Sequence, residues 1–274
     1  MSGFLEQMAL SSRARAAAAR RSCSFAQLSA AAQAAPAPPP LRLDPSGFDL
    51  IAELKLRSPA AGQLRTPGED VGARVGAYAR AGAAAVSVLT EPSRFDGELA
   101  HLSAAASALR PLGVPAMRKD FLVDPYQVLE ARRAGAGGVL LILRMLPRAE
   151  TAALIETARA HGLFVLLEAF DADDIALMHQ LVQTYAGGAQ LLGGVNCRDL
   201  STLEVVPARL LELAPLLPAQ IPRVAESGVA SAADARAVAA AGYALALVGS
   251  ALMQGDDPQT LAAALLAAAR AAVP

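Results

Sequence analysis

The sequence predicts an α/β protein, a (β/α)8 TIM barrel with an N-terminal helical extension. Three observations predict it. Short apolar runs of strand length alternate eight times with longer segments rich in Ala, Leu and Arg. The runs are continuously apolar rather than alternating, as parallel strands covered on both faces must be. A length of 274 residues suits one barrel, and the number of runs favours closure over an open doubly wound sheet. No G-x-G-x-x-G turn follows the first run, which argues against a dinucleotide site.

In chain order, residues 1–35 predict one or two helices with Phe4, Leu5 and Met8 on one face. The proline-rich APAPPPLRLDPSG (35–47) cannot continue a helix. An extension of residues 1–48 is therefore expected ahead of a catalytic barrel at 49–274. The first four strand candidates are DLIAELK (49–55), AVSVLT (85–90), PAMRKDF (115–121) and GVLLIL (138–143). The next four are FVLLEAF (164–170), LLGGVN (191–196), RVAESG (223–228) and ALALVGS (244–250). Helices are expected at 70–83, 148–162 and 231–243, briefly at 250–254, and after Pro258. Asp124-Pro125 opens a further helix that Gly135 closes, and Ser231 and Gly242 bracket the one at 231–243. Asp124 and Gln127 have the spacing of a capping box.

Composition narrows the function. The chain is 54% hydrophobic and 18% charged, but much of the apolar share is alanine, so the positive mean hydropathy overstates membrane character. No run of about 20 strongly apolar residues occurs; the nearest, 237–252, is broken by Gly242 and Gly249. A net charge of −1 leaves no broad basic field for nucleic acid. Arg13, Arg15, Arg20 and Arg21 read as the polar side of an amphipathic helix; Glu6 and the lack of an apolar stretch argue against export. Cys23 and Cys197 lie far apart without metal-ligand spacing, as in a reduced, cytoplasmic protein. His101, His161 and His179 fall in helical segments or at their ends. No metal site is expected, and a Ser-His-Asp hydrolase is disfavoured.

Barrel chemistry gathers at the C-terminal ends of strands. There the sequence places Glu53, Lys55 and then Ser58; Lys119 and then Phe121; Glu168; Asn196 and Arg198; Glu226-Ser227-Gly228; and Gly249-Ser250. Each has a bland alternative: Glu53 and Lys55 could pair with each other, Asn196 could form a turn, and Ser250 could cap a helix. Two lysines and three glutamates in apolar strands are nonetheless costly to bury singly. Gathering them in one mouth neutralises all five, and such clusters separate pKa values into an acid and a base. Ser227-Gly228 and Gly249-Ser250 offer unobstructed backbone N–H groups where barrels commonly hold phosphate. A strand lysine also leaves a Schiff-base aldolase open. Within Arg118-Lys119-Asp120, strand alternation sends Lys119 to the mouth and its neighbours to the helix layer.

The segments 51–59, 87–99, 118–142, 193–205, 225–238 and 247–258 together resemble the indole-3-glycerol phosphate synthase family, in the family's order along the barrel. The resemblance implies the substrate 1-(2-carboxyphenylamino)-1-deoxyribulose 5-phosphate, a phosphosugar joined to anthranilate. It is closed to indole-3-glycerol phosphate with loss of carbon dioxide and water, without a cofactor. It also implies roles. Lys119 would be the general acid, Glu168 the base in dehydration, and Lys55 a substrate contact assisting proton transfer. Glu53, Asn196 and Glu226 would position sugar hydroxyls and tune the lysines. Arg198, Ser58, Ser227, Gly228, Gly249 and Ser250 would hold phosphate or other anionic groups, and Phe95, Phe121 and Leu200 would wall the aromatic ring. Other enzymes of tryptophan synthesis are candidate partners. The chain departs from the family pattern at Ala60-Ala61, where Ser-Lys is usual, at Phe170 for His, Cys197 for Asn and Glu98 for Ser. It also lacks the family's Arg-Asp-Phe stretch before the first strand. The competing readings are another phosphosugar barrel, such as a phosphoribosylanthranilate isomerase, which would want a cysteine base near the first strand end, and a non-catalytic or substrate-shifted paralogue.

Overall fold

The computed structural model describes every residue except 1, 2, 46, 65–69, 186, 189, 201, 256 and 274. Among the described residues, eight parallel strands follow one another round a closed barrel. They are β1 (Asp49–Leu54), β2 (Ala85–Leu89), β3 (Ala116–Lys119), β4 (Gly138–Ile142), β5 (Phe164–Ala169), β6 (Leu191–Asn196), β7 (Arg223–Glu226) and β8 (Leu245–Val248), and β8 pairs back onto β1. Every residue of β1, β4, β5, β6 and β8 is buried, which is why these runs show no polar alternation.

The α-helices of five or more described residues are α1 (Gly3–Ser22), α2 (Phe25–Ala34), α3 (Val71–Arg80), α4 (Leu99–Leu109), α5 (Pro125–Arg133), α6 (Arg148–Ala160), α7 (Ala172–Tyr185), α8 (Ala208–Leu213), α9 (Ala232–Ala240), α10 (Ser250–Gln254) and α11 (Pro258–Arg270). None is long and apolar enough to cross a membrane. His101 lies in α4, His161 caps α6, and His179 lies in α7. Both cysteines are free thiols.

Three strands end two residues earlier than the apolar runs suggest. β3 stops at Lys119, β7 at Glu226 and β8 at Val248. After β7 the reason is conformational: Ser227 and Gly228 have φ of 67° and 74°, in the left-handed region that no strand contains. Asp124 caps α5 as expected, accepting from Tyr126 N–H at 2.8 Å. The reciprocal half of a capping box is not made. Gln127 Oε1 instead accepts from Val123 N–H at 2.9 Å, while its amide donates to Ser12 of α1 at 2.8 Å. The demand of α1 for a partner thus redirects a side chain whose spacing alone suggested a local cap.

The extension is tied to the barrel along α5. Leu28 and Ala32 of α2 form a small buried cluster with Tyr126 and Leu129. Arg132 donates to the carbonyls of Ala35 and Pro36 at 2.9 and 3.0 Å. A proline-rich segment lacks N–H donors but keeps its carbonyls, and an arginine from the barrel anchors two of them here.

Glu98 occupies the N-cap of α4 with extended backbone, yet its side chain caps no N–H group. A shorter hydroxyl side chain there can reach the orphan donors. Glu98→Ser is expected to raise stability by about 0.5–1 kcal/mol, read as a higher urea midpoint at unchanged m-value.

Candidate active site

At the C-terminal mouth lies a cavity of about 290 Å³, and every residue singled out from the sequence as a site candidate lines it. Register explains the gathering. Glu53 is level with Ser87, Glu168 with Gly194, and Asn196 with Glu226. Residues level in a parallel sheet share a face, so one turn of the barrel presents them together.

Lys119 closes β3 and enters this cavity, with its Nζ 3.8 Å from Glu168 Oε2. Its neighbours turn away, as alternation requires. Arg118 is 1% exposed and reaches the helix layer, donating to the Gln127 carbonyl at 2.8 Å and to Glu130 at 3.1 Å. It also donates to Thr90 Oγ1 at 3.0 Å and Asp120 Oδ2 at 3.0 Å. Asp120 further accepts a two-pronged pair from Arg15 of α1 at 2.7 and 2.9 Å, the Thr90 hydroxyl at 2.7 Å, and Phe121 N–H at 2.8 Å. Burial alone would raise the Asp120 carboxyl. The Arg15 hydrogen bonds and the charges of Arg118 and Arg15 outweigh it and hold it well below the usual carboxylate range.

Within the mouth, Lys55 Nζ pairs with Glu53 Oε1 at 2.7 Å. Gly249 stands beside that pair, where a Cβ would collide with Glu53 and come within 3.0 Å of Lys55 Nζ. Burial opposes the charged form of Glu53, but Lys55 and then Lys119 prevail and keep it below its ordinary range. Burial likewise opposes the Lys119 ammonium. Glu168, Glu53 and Glu226 outweigh it in that order, against Arg198, so Lys119 lies above the ordinary lysine range. Glu226 moves the other way: burial and then the Glu168 charge push its carboxyl well up. The cluster therefore holds a persistent cation beside carboxyl groups of unlike proton affinity, an arrangement suited to general acid-base work.

Asn196 orders one side of the mouth. Its amide donates to Glu168 Oε1 at 2.6 Å, and its Oδ1 accepts from Arg198 N–H and Ser227 Oγ at 2.9 Å each. Arg198 itself donates to the Leu203 carbonyl at 2.7 Å. Ser58 Oγ accepts from Ala61 N–H at 3.1 Å, so it holds the first loop as well as lining the cavity. Phe121 packs against Phe95, ring centroids 6.1 Å apart, and Leu200 lines the same cavity. Gly228, Gly249 and Ser250 line the side formed after β7 and β8, where Ser250 opens α10.

Sequence reasoning overlooked two residues of α1. Phe4 lines the cavity and meets Phe121 edge-on at 5.8 Å. Arg15 pairs with Asp120, beside Lys119. The apolar stripe of α1 was visible in the sequence, but nothing local says at which end of the barrel it docks. Among the departures from the family pattern, Ala60 lines the cavity. Phe170 carries the Arg144 guanidinium 4.7 Å above its ring, and Cys197 is buried.

Removing the Asp120 carboxylate takes from the buried Arg118 one of its two carboxylate partners and from Arg15 its own. Asp120→Ala is expected to lower stability by about 3–5 kcal/mol, read by chemical denaturation at pH 7. The sign with pH follows from the depressed folded value. The Asp120 contribution is complete above about pH 4, the unfolded carboxylate's value, and is lost as pH falls towards the folded value. The deficit of Asp120→Ala should accordingly shrink below pH 4.

Comparison with known proteins extends the picture. The 3-hexulose-6-phosphate synthase of Salmonella typhimurium has a similar structure, with a TM-score of 0.62 at 14% identity over 82% of this chain and all of that one (100%), a likeness of fold alone. In sequence, the chain is 43% identical over 257 residues to the indole-3-glycerol phosphate synthase of Micrococcus luteus, covering 91% of each. It is 38% identical over 260 residues to that of Mycobacterium tuberculosis, covering 93% of this chain and 91% of the relative. The profile of the indole-3-glycerol phosphate synthase family matches residues 5–265. A match over the barrel and most of its extension, with relatives aligned nearly end to end, establishes that this chain belongs to the indole-3-glycerol phosphate synthase family.

Proposed function

We propose that the chain converts 1-(2-carboxyphenylamino)-1-deoxyribulose 5-phosphate to indole-3-glycerol phosphate in tryptophan biosynthesis. The observation that carries this reading is the Lys119 ammonium, buried in the mouth and 3.8 Å from Glu168, beside a Lys55–Glu53 pair at 2.7 Å. Lys119 gives its proton to the ketone oxygen as the aryl carbon attacks. Loss of carbon dioxide then restores the aromatic ring, so the step calls for no electron carrier. Glu168 takes the proton released in the later dehydration. Lys55 meets an anionic group of the substrate, and Glu53, Asn196 and Glu226 orient the sugar hydroxyls.

The lining divides by chemistry. Ser227, Gly228, Gly249 and Ser250, with Arg198, suit the phosphate, and Ser58 suits a second anionic group. Phe95, Phe121, Leu200 and Phe4 supply an apolar slot for the anthranilate ring. Residues 49–274 are the catalytic barrel in this reading, with 1–48 as its extension. The protein works in the cytoplasm, and other tryptophan-pathway enzymes are its candidate partners.

The test is formation of indole-3-glycerol phosphate from the synthetic substrate, followed by absorbance or fluorescence. Lys119→Ala is expected to lose about 10²–10⁴-fold in kcat while its melting transition stays cooperative. Wild-type protein that binds the substrate without turning it over would refute the reading and point to a non-catalytic or substrate-shifted paralogue. Because Lys119 is held above the ordinary lysine value of about 10.4, no fall in rate from its deprotonation is expected below about pH 10.

A further inference from the structure

Two carboxylates of the mouth are left with unmatched oxygens. Oε2 of Glu168 and both oxygens of Glu226 are buried without a hydrogen-bond partner among the described residues. Buried carboxylates ordinarily collect donors, as Asp120 does here. Lys119 is no substitute: at 3.8 Å it pairs with Glu168 by charge, beyond hydrogen-bond reach. Asn196 is committed on both sides, to Glu168 through its amide and to Ser227 and Arg198 N–H through its oxygen.

Strand order sets the two carboxylates on the strands either side of β6. Glu168 is on β5 and Glu226 on β7, with β6 between them. The residue of β6 level with Glu168 is Gly194. A Cβ at Gly194 would collide with Oε1 of Glu226 and press on Leu166 at 3.1 Å. The Glu226 carboxylate thus occupies the space that a side chain at Gly194, level with Glu168, would fill. The other charged residues lining the same cavity are Lys119 of β3 and Asp120 just after it, Glu53 of β1 and Lys55 just after it, and Arg198 beyond β6.

We propose that Gly194 is a positioning residue: its missing side chain seats Glu226 against Glu168, so that the two carboxyl groups hold one proton between them in the substrate-free protein. Two buried carboxylates at close range cannot both ionise freely, and a shared proton turns an unmatched oxygen into a donor for its neighbour. The upward displacement of Glu226 by burial and by Glu168 agrees with this. The proposal deepens the functional reading above and rests on it for the substrate. Such a pair can give its proton to a hydroxyl leaving as water and take one from the ring, ending with its charge unchanged.

Infrared spectroscopy of the substrate-free, full-length chain at neutral pH tests the shared proton through the C=O stretch of a protonated carboxylic acid. The band is expected in wild type and expected to vanish in Glu226→Gln and in Gly194→Ala. Its absence from wild type, its survival in Glu226→Gln, or an unchanged band in a folded Gly194→Ala would overturn the proposal. A second measurement separates positioning from simple loss of structure. Gly194→Ala and Glu226→Ala are each expected to lower kcat/KM by at least about tenfold. Together they should cost less than about twofold beyond Glu226→Ala, because the colliding carboxylate is gone. Losses that multiply would count against it. If Gly194→Ala does not fold, recovery of folding in the double variant supports the collision, and failure of both to fold refutes it. The infrared readout needs no substrate, so absence of turnover in wild type would sink the functional reading while leaving this test standing.

Discussion

The Asp120 carboxylate is the junction on which the arrangement depends. It accepts from Arg118 of β3, from Thr90 just after β2, from the following backbone N–H of Phe121, and from Arg15 of the N-terminal helix. Three separate pieces of chain are thereby locked at the point where β3 turns into its loop. Since a strand offers its side chains to alternate faces, holding Arg118 and Asp120 outside commits Lys119 to the inside. The position of the candidate acid is thus a consequence of two charges that pair with each other, with Glu130 and with Arg15.

Inside the mouth the governing constraint is electrostatic. Glu53, Glu168 and Glu226 are each no more than 3% exposed, and none would remain there as an isolated anion. Lys55 and Lys119 compensate part of that charge at short range. Small residues on neighbouring strands decide where the carboxylates can sit: Gly249 leaves room for Glu53, and Gly194 for Glu226. Two glycines that look interchangeable in an apolar run are in this sense as specific as the charged groups they accommodate.

The barrel itself is no guide to chemistry. A hexulose phosphate synthase shares the architecture at 14% identity, as expected where function is carried by side chains at the strand ends and not by the scaffold. What distinguishes this chain is the set of polar residues at those ends and the N-terminal helix laid against one of them, with Phe4 and Arg15 reaching the third strand's loop.

The barrel and most of the mouth were legible in the sequence because they depend on local pattern. Continuous apolar runs signal strands covered on both faces, and charges at the ends of such runs have few inexpensive places other than the mouth. Even the opposite orientations of Arg118 and Lys119 follow from a period of two. Contacts between distant segments left no such trace. The partnership of Arg15 with Asp120 spans 105 positions, the diversion of Gln127 from a cap to Ser12 spans 115, and the room Gly194 leaves for Glu226 depends on barrel stagger. Sequence determined which residues are polar, which are small and which face they occupy. Only the closed barrel, by bringing strands and the docked helix within hydrogen-bonding distance, decided which of them meet.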